Sequence, residues 1–309
     1  MKKKLSNLKI GRVGTVDINI PLITIGVGKP KVLLLVGIHG NEISGLFVVQ
    51  KLLEKLKLKA GGLNIITAAN PLAQALRKRE TPLDLRDLNR NFPGNKDRSF
   101  TDRLATKIFA EAKKCDLVID LHTFEDSSPV VAIFMNHGSN KVKKASLKFI
   151  KALQPDIIWR LSTQTEEEKR LSGSLGPKLA EIGITNFAIE MPECFRITEE
   201  QLERIVMGLL NVFSLLGMID EKTGSWQDKI PIFERQQVHA DRSGLFIPQK
   251  KLMEKVKNSE VVAEMISIKN FASSKIKSPF AGQLIVFKEK DLVNTGDTLF
   301  TIGKRVGEL

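Results

Sequence analysis

Five consecutive apolar residues at positions 32–36 run straight into a glycine-flanked turn, and no other stretch constrains the fold as strongly. The segment from Lys31 to Glu42 reads KVLLLVGIHGNE. A continuous apolar run stopped by glycine suits a strand buried on both faces, as in a parallel sheet. After it, Leu46, Val49, Leu52, Leu53 and Leu56 recur at helical spacing. Residues 63–69 (LNIITAA) form a second buried run, which completes a βαβ unit with a right-handed crossover. Gly37 and Gly40 flank the turn between strand and helix; the turn carries His39, with Glu42 just after it. Open α/β sheets bind ligands at this edge. An imidazole and a carboxylate placed there are candidate functional groups.

The remaining segments fit the same frame. Residues 10–28 alternate around Val16, Ile18 and Ile20 and predict a β hairpin whose run breaks at Pro21. Asn70-Pro71 marks a turn. Residues 72–100 are rich in Arg, Asp, Asn, Pro and Gly with little periodicity. A loop of that length inside a well-cored domain is usually functional or disordered, and its density of polar groups with defined hydrogen-bonding geometry favours the former. A helix over 102–114 leads into CDLVIDLHT at 115–123, a third buried strand ending in a histidine. Strands are expected at 130–136 and 186–191, and helices at 141–153, 176–182 and 198–217. Thr198 is the N-cap of the last helix, and Gln201 can complete a capping box. Residues 164–175 read as polar loop, and 218–235 as a linker containing Gly224 and Pro231. Beyond it GLFIP, KLMEKV, EVVAEMIS, SPFAGQLIVF and DLVNTGDTLFTIG are spaced like all-β strands. The expected architecture is α/β, a mixed sheet flanked by helices over 1–229, with a small all-β domain over 230–309.

His39 and Glu42 have H-x-x-E spacing on a turn, so both side chains can reach one point. His122 ends a strand of the same design, and parallel neighbouring strands would bring all three groups together. Two imidazoles and a carboxylate are the open three-ligand set of catalytic zinc, with a position left for water. Asp120 lies on the same strand face as His122 and is placed to orient it. A metal hydrolase needs a general base. Glu190 ends an apolar strand where a charge is otherwise costly, with Glu193 as the alternative. Arg79, Arg86, Asn89 and Arg90 come from the long loop, where an arginine fork suits a carboxylate or an oxyanion. Ion pairs with Asp84 and Asp87 in a solvated loop are the competing explanation of these arginines. His137 reads as a loop residue and His239 as linker or surface.

Composition narrows the partners. The net charge of +13 is carried by lysines spread over amphipathic helices, without an RNP, helix-turn-helix or zinc-finger pattern. There is no tyrosine and few other aromatics, so no base-stacking platform and no nucleic-acid partner is expected. No apolar stretch reaches about 18 residues, so no membrane span is expected. The basic start MKKKLSNLKIGRV lacks the apolar region of a signal peptide. Cys115 and Cys194 are the only cysteines, without ligand spacing, which fits a reducing cytoplasm. The sequence leaves homo-oligomerisation open.

GIHGNE, Asn70-Pro71, RETPLDLRDLNRNFPG, DLHT and a later strand glutamate occur in this order from about residue 30 to 195. Together they resemble the succinylglutamate desuccinylase/aspartoacylase family, a branch of the zinc carboxypeptidase-like hydrolases. The resemblance implies one Zn2+ per chain, held by His39, Glu42 and His122. It implies Glu190 as the base, Arg79 as the group polarising the scissile carbonyl, and Asn89 and Arg90 as holders of a substrate carboxylate. The implied reaction is hydrolysis of a small N-acyl amino acid to a carboxylate and an amine. Ser44-Gly45 and the Met-Pro-Glu after Glu190 depart from the more usual family pattern. The absence of tyrosine favours the deacylase branch over a carboxypeptidase-like peptidase. A non-catalytic binding member of the fold is the remaining alternative. The C-terminal segment resembles a biotinyl/lipoyl-like hairpin fold but lacks the sequence context of a carrier lysine; Lys275 and Lys277 read as strand-edge lysines.

Overall fold

In the computed structural model, which describes residues 3–162, 169–220 and 224–309, the run at 32–36 is a strand covered on both faces. Its neighbours follow from the chain order. Strands β1 (Lys3–Val13), β2 (Val16–Gly26), β3 (Lys31–Val36), β4 (Gly62–Ile66), β5 (Leu117–Phe124), β6 (Val131–Met135), β7 (Ile157–Leu161) and β8 (Thr185–Pro192) come first. Helices α1 (Ser44–Lys55), α2 (Pro71–Leu76), α3 (Phe100–Ala112), α4 (Asn140–Leu153), α5 (Leu175–Glu181) and α6 (Glu199–Leu215) lie among and after them. Strands β9 (Pro231–His239), β10 (Gly244–Pro248), β11 (Lys255–Val256), β12 (Val261–Ile266), β13 (Ser273–Lys277), β14 (Gly282–Phe287), β15 (Asp291–Val293) and β16 (Thr298–Glu308) follow. One mixed sheet has the order β1-β2-β4-β3-β5-β8-β6-β7-β9-β16-β14-β11, and a second, antiparallel sheet the order β13-β12-β10-β15.

The strands β4, β3, β5 and β8 are mutually parallel, and β2 and β6 flank them antiparallel. Alternation then divides the core. Val32, Leu34, Val36, Ile119 and Leu121 pack on the side of α1, α4 and α6. Leu33, Leu35 and Val118 pack on the side of α3 and α5. Each such buried aliphatic side chain contributes about 1.5–3 kcal/mol relative to exposure. The capping box at Thr198 and Gln201 forms as expected.

Three local expectations change, and the strand-edge reading of Lys275 and Lys277 holds. β2 continues through Pro21 to Gly26, because β4 pairs with it only from Leu22 onward and Pro21 faces an internal neighbour on one side alone. Asn70-Pro71 starts a helix instead of a turn: the Asn70 carboxamide caps Ala73 N–H, and Pro71 takes the first helical position, where no N–H is needed. The expected linker is partly strand, since β9 begins at Pro231 and pairs in parallel with β7. β13, which carries Lys275 and Lys277, forms an edge of the small sheet. Of the expected polar loop and linker, residues 164–168 and 221–223 lie outside the described residues.

The turn after β3 is held by a close approach. Gly40 N–H donates to Lys78 O at 2.8 Å, and a Cβ at Gly40 would lie 2.0 Å from the Ala73 carbonyl carbon. Backbone cannot move aside cheaply there, so Gly40→Ala should lower stability by about 3 kcal/mol. Urea denaturation reads this directly, and an unchanged midpoint would show that the turn tolerates a side chain.

Candidate active site

Because β3, β5 and β8 run parallel, their C-terminal ends open at one sheet edge. His39 lies just past β3 and Glu42 just before α1. His122 lies in β5, and Glu190 stands beside it in register on β8. His39 Nδ1 is 2.5 Å from Glu42 Oε1, and His122 Nδ1 is 2.8 Å from Glu42 Oε2. Thr123 N–H donates to the latter oxygen at 3.1 Å. His39, Glu42 and His122 are 3%, 6% and 4% exposed, and each offers a ligand atom within 4.8 Å of the others.

The far nitrogens of both rings are also held. Asp87 Oδ1 lies 3.0 Å from His39 Nε2, and Asp120 Oδ2 lies 2.8 Å from His122 Nε2. Each imidazole therefore turns Nδ1 into the cluster and rests on a carboxylate behind it. Metal-binding histidines are oriented in this way. Two nitrogens, one carboxylate and two further acids behind them suit a divalent cation that accepts N and O ligands. Asp120 acts as the sequence suggests. Asp87 is the residue that sequence reasoning left as a loop ion pair. It accepts from Arg79 Nη2 at 3.1 Å and from Asn89 N–H at 2.8 Å while bracing His39. The signal for it was the second histidine: two ligand imidazoles need two supporting acceptors, and Asp120 serves only one.

Burial and charge act against each other throughout the cluster. Burial alone would raise Glu42, but His39 and His122 outweigh it and hold the acid well below the usual carboxylate range. Burial alone would lower the imidazoles. Glu42 and Asp87 raise His39 on balance, and Asp120 and Glu42 raise His122 well above its ordinary value. Burial pushes Glu190 up to about 7, against the opposing pull of the His122 cation.

The long loop delivers three of its expected groups to a cavity of about 720 Å3 that His39, Glu42, His122 and Glu190 also line. Arg79 Nη1 is 3.4 Å from Glu42 Oε1. Asn89 Oδ1 accepts Leu175 N–H at 3.0 Å, tying the loop to the start of α5. Arg90 Nη1 donates to Asn89 O at 2.8 Å and to Ser174 Oγ at 3.2 Å. Arg86 is not among these groups: it turns away to Asp102 and Ser99, at 2.5 and 2.9 Å. Glu193 pairs with Arg196 at 2.7 Å and lines a neighbouring pocket with Cys194 and Phe195. His137 lies 3.5 Å from Glu181, and His239 is exposed at the rim of the main cavity.

Fold and cluster together define an α/β chain of the metallo-carboxypeptidase kind, with a His–Glu–His group able to hold a metal ion. A family model for the succinylglutamate desuccinylase/aspartoacylase catalytic domain matches residues 28–216, and the chain belongs to that family. An N-alpha-acetyl-L-2,4-diaminobutyric acid deacetylase from Halomonas elongata is 32% identical over 129 residues, a match that spans 40% of this chain and 37% of that protein. The solved structure of a succinylglutamate desuccinylase/aspartoacylase from Rhodobacter sphaeroides superposes with a TM-score of 0.85 at 20% identity, over 99% of this chain and 96% of that one. A metallo-carboxypeptidase from Burkholderia cenocepacia shares the fold more distantly, with a TM-score of 0.55 at 17% identity over 69% of this chain and 64% of that one.

Two measurements follow from this geometry. Removing the brace in Asp87→Ala should weaken metal affinity about 10- to 100-fold while His39 and its partners remain; unchanged affinity by competition with a chelator would show that Asp87 only organises the loop. The neighbouring acids favour the protonated form of both imidazoles, and a metal must displace a proton held at a ligating nitrogen. Zinc binding should therefore release protons and tighten about tenfold per proton for each pH unit upward. Calorimetry in buffers of different ionisation enthalpy reads the release directly, and none would be seen if both rings were already neutral.

Proposed function

We propose that the chain is a zinc-dependent amidohydrolase that cleaves the amide bond of an N-acyl amino acid. The observation that carries this reading is the convergence of His39, Glu42 and His122 with Glu190 in register beside His122. His39, Glu42 and His122 would hold the zinc. When bound there, it would lower the pKa of a water and polarise the substrate carbonyl.

The chain's own groups supply the rest. Glu190, pushed up to about 7, is matched to taking a proton from water near neutral pH and returning it to the leaving amine. The Arg79 guanidinium, fixed by Asp87, offers its remaining N–H groups to charge that develops on the carbonyl oxygen. Asn89 has its carboxamide oxygen committed to Leu175, which leaves its NH2 for an acceptor. With Arg90 beside it, this forms a seat for the carboxylate of the amino-acid part. The partial match to a deacetylase supports the deacylase reading.

Two wider readings go with it. The catalytic part would extend to about residue 229, since the family match ends at 216 and a separate apolar core forms among residues 240–302. A cytoplasmic setting is supported by Cys115 and Cys194, both unpaired. No helix among the described residues is long and apolar enough to cross a membrane.

The test is a panel of N-acetyl, N-succinyl and N-formyl amino acids with amine release as the readout. Wild-type protein should bind stoichiometric zinc, and His39→Ala and His122→Ala should lose it. Glu190→Gln should keep the metal and lose turnover by about 10²- to 10⁴-fold. Arg90→Ala should act mainly through KM, by roughly 10- to 100-fold. Metal content that does not change in either histidine variant would sink the site, and an active Glu190→Gln would move the base elsewhere.

A further inference from the structure

The strand pairing that aligns His122 with Glu190 stops just past them. β5 and β8 are paired as far as Phe124 and Pro192, and each chain then leaves the sheet as a loop. A guanidinium joins the two exits. Arg196 Nη1 donates to Glu125 O at 2.9 Å, three residues after His122, and to Glu193 Oε2 at 2.7 Å, three residues after Glu190. The other edge of the same fork is held from far along the chain. Arg196 Nε and Nη2 donate to Glu289 Oε1 and Oε2 at 3.2 and 3.3 Å, across 93 positions.

Glu289 lies in the turn between β14 and β15. It also accepts from Ser127 Oγ at 2.7 Å. Its two predecessors grip the same loop: Phe287 N–H donates to Ser127 O at 3.0 Å, and Lys288 Nζ to Asp126 Oδ1 at 3.2 Å. The metal cluster is a short step away by two routes. Thr123 N–H, which meets Glu42 Oε2, lies two residues before Glu125. Asn41, between His39 and Glu42, donates from Nδ2 to Glu125 Oε1 at 2.7 Å.

A planar guanidinium is aimed when both of its edges are occupied. Without Glu289, Arg196 would keep one acid, Glu193, from its own loop, and would lose the partner that points Nη1 at Glu125 O. We infer that Glu289 is a positioning residue. Through Arg196 and Ser127 it holds the exits of β5 and β8, and with them the turn of His39 and Glu42, in the spacing that metal and base require. Its side chain is 56% exposed, and pairs so exposed add little to stability. Catalysis is steeper in position, since a shift of about 1 Å can cost roughly 100-fold. The part of the inference that concerns turnover rests on the amidohydrolase reading; the part that concerns metal binding does not.

The test sets Glu289→Ala, Arg196→Ala and the double variant beside wild type. Zinc affinity is measured by competition with a chelator and stability by urea denaturation. Turnover is measured on an N-acyl amino acid that wild type cleaves. In Glu289→Ala zinc affinity should fall about threefold or more, with an unchanged urea midpoint. Its kcat should fall about tenfold or more, with KM within about twofold of wild type. The double variant should be no worse than the poorer single one, because both substitutions break one connection. Glu289→Gln, which keeps an acceptor for Ser127, should recover part of the loss. Unchanged zinc affinity or unchanged kcat in Glu289→Ala overturns the inference and leaves the hydrolase standing. So does a loss confined to KM, or one that follows a fall in the urea midpoint, or additive losses in the double variant. If wild type cleaves no N-acyl amino acid, weaker zinc binding in Glu289→Ala keeps the positioning role while the hydrolase reading falls, and unchanged binding removes both.

Discussion

One buried carboxylate sets the terms for this sheet edge. Glu42 is almost without solvent, and an isolated charge there would be severely penalised. Its two oxygens are met by two imidazoles, a backbone N–H and a guanidinium. Those partners arrive from β3, β5 and the long loop, so the acid can be buried only when the parallel register of the sheet is already correct. The same requirement explains the tight packing behind the turn. Gly40 presses against α2, and α2 starts at Asn70, whose carboxamide also donates to Thr81 at the head of the loop. The polar cluster and the βαβ core therefore specify each other.

Much of this was legible because buried parallel strands have a distinctive pattern. Residues 32–36 and 117–121 read as such strands, and a histidine at the end of each one stands out against an apolar background. Register did the rest, since parallel neighbours place His122 and Glu190 side by side. Asp87 was not legible. Its contact with His39 spans 48 positions, and locally it looks like any acid among arginines. β9 was hidden for a different reason. Its sequence PIFERQQVH lacks a period-two alternation and a glycine boundary, so only its partners reveal it.

Some of the lysines are balanced by acids on the opposite face. Lys51 and Lys55 on α1 pair with Glu199 and Glu203 on α6, which joins two helices that cover the same sheet surface. Exposed pairs of this kind contribute little each. They do place two of the lysines at a helix junction, away from the cavity. The sheet edge instead presents Arg79 and Arg90, whose planar forks can meet two acceptors at once.

The parallel pairing of β7 with β9 bears on how the protein is made. A ribosome releases β7 some seventy residues before β9, so the large sheet has an open edge while synthesis continues. That edge displays Trp159 among apolar neighbours, the kind of unpaired strand that invites association with other chains. β9 closes it on emergence but is itself open until β16 is added. The apolar cluster around Trp159, which includes Phe233, Ile285 and Val286, is thus sealed only once these later strands arrive. A nascent chain of this protein would be most in need of a chaperone between the release of β7 and that of β16, after His39, Glu42 and His122 have already left the ribosome.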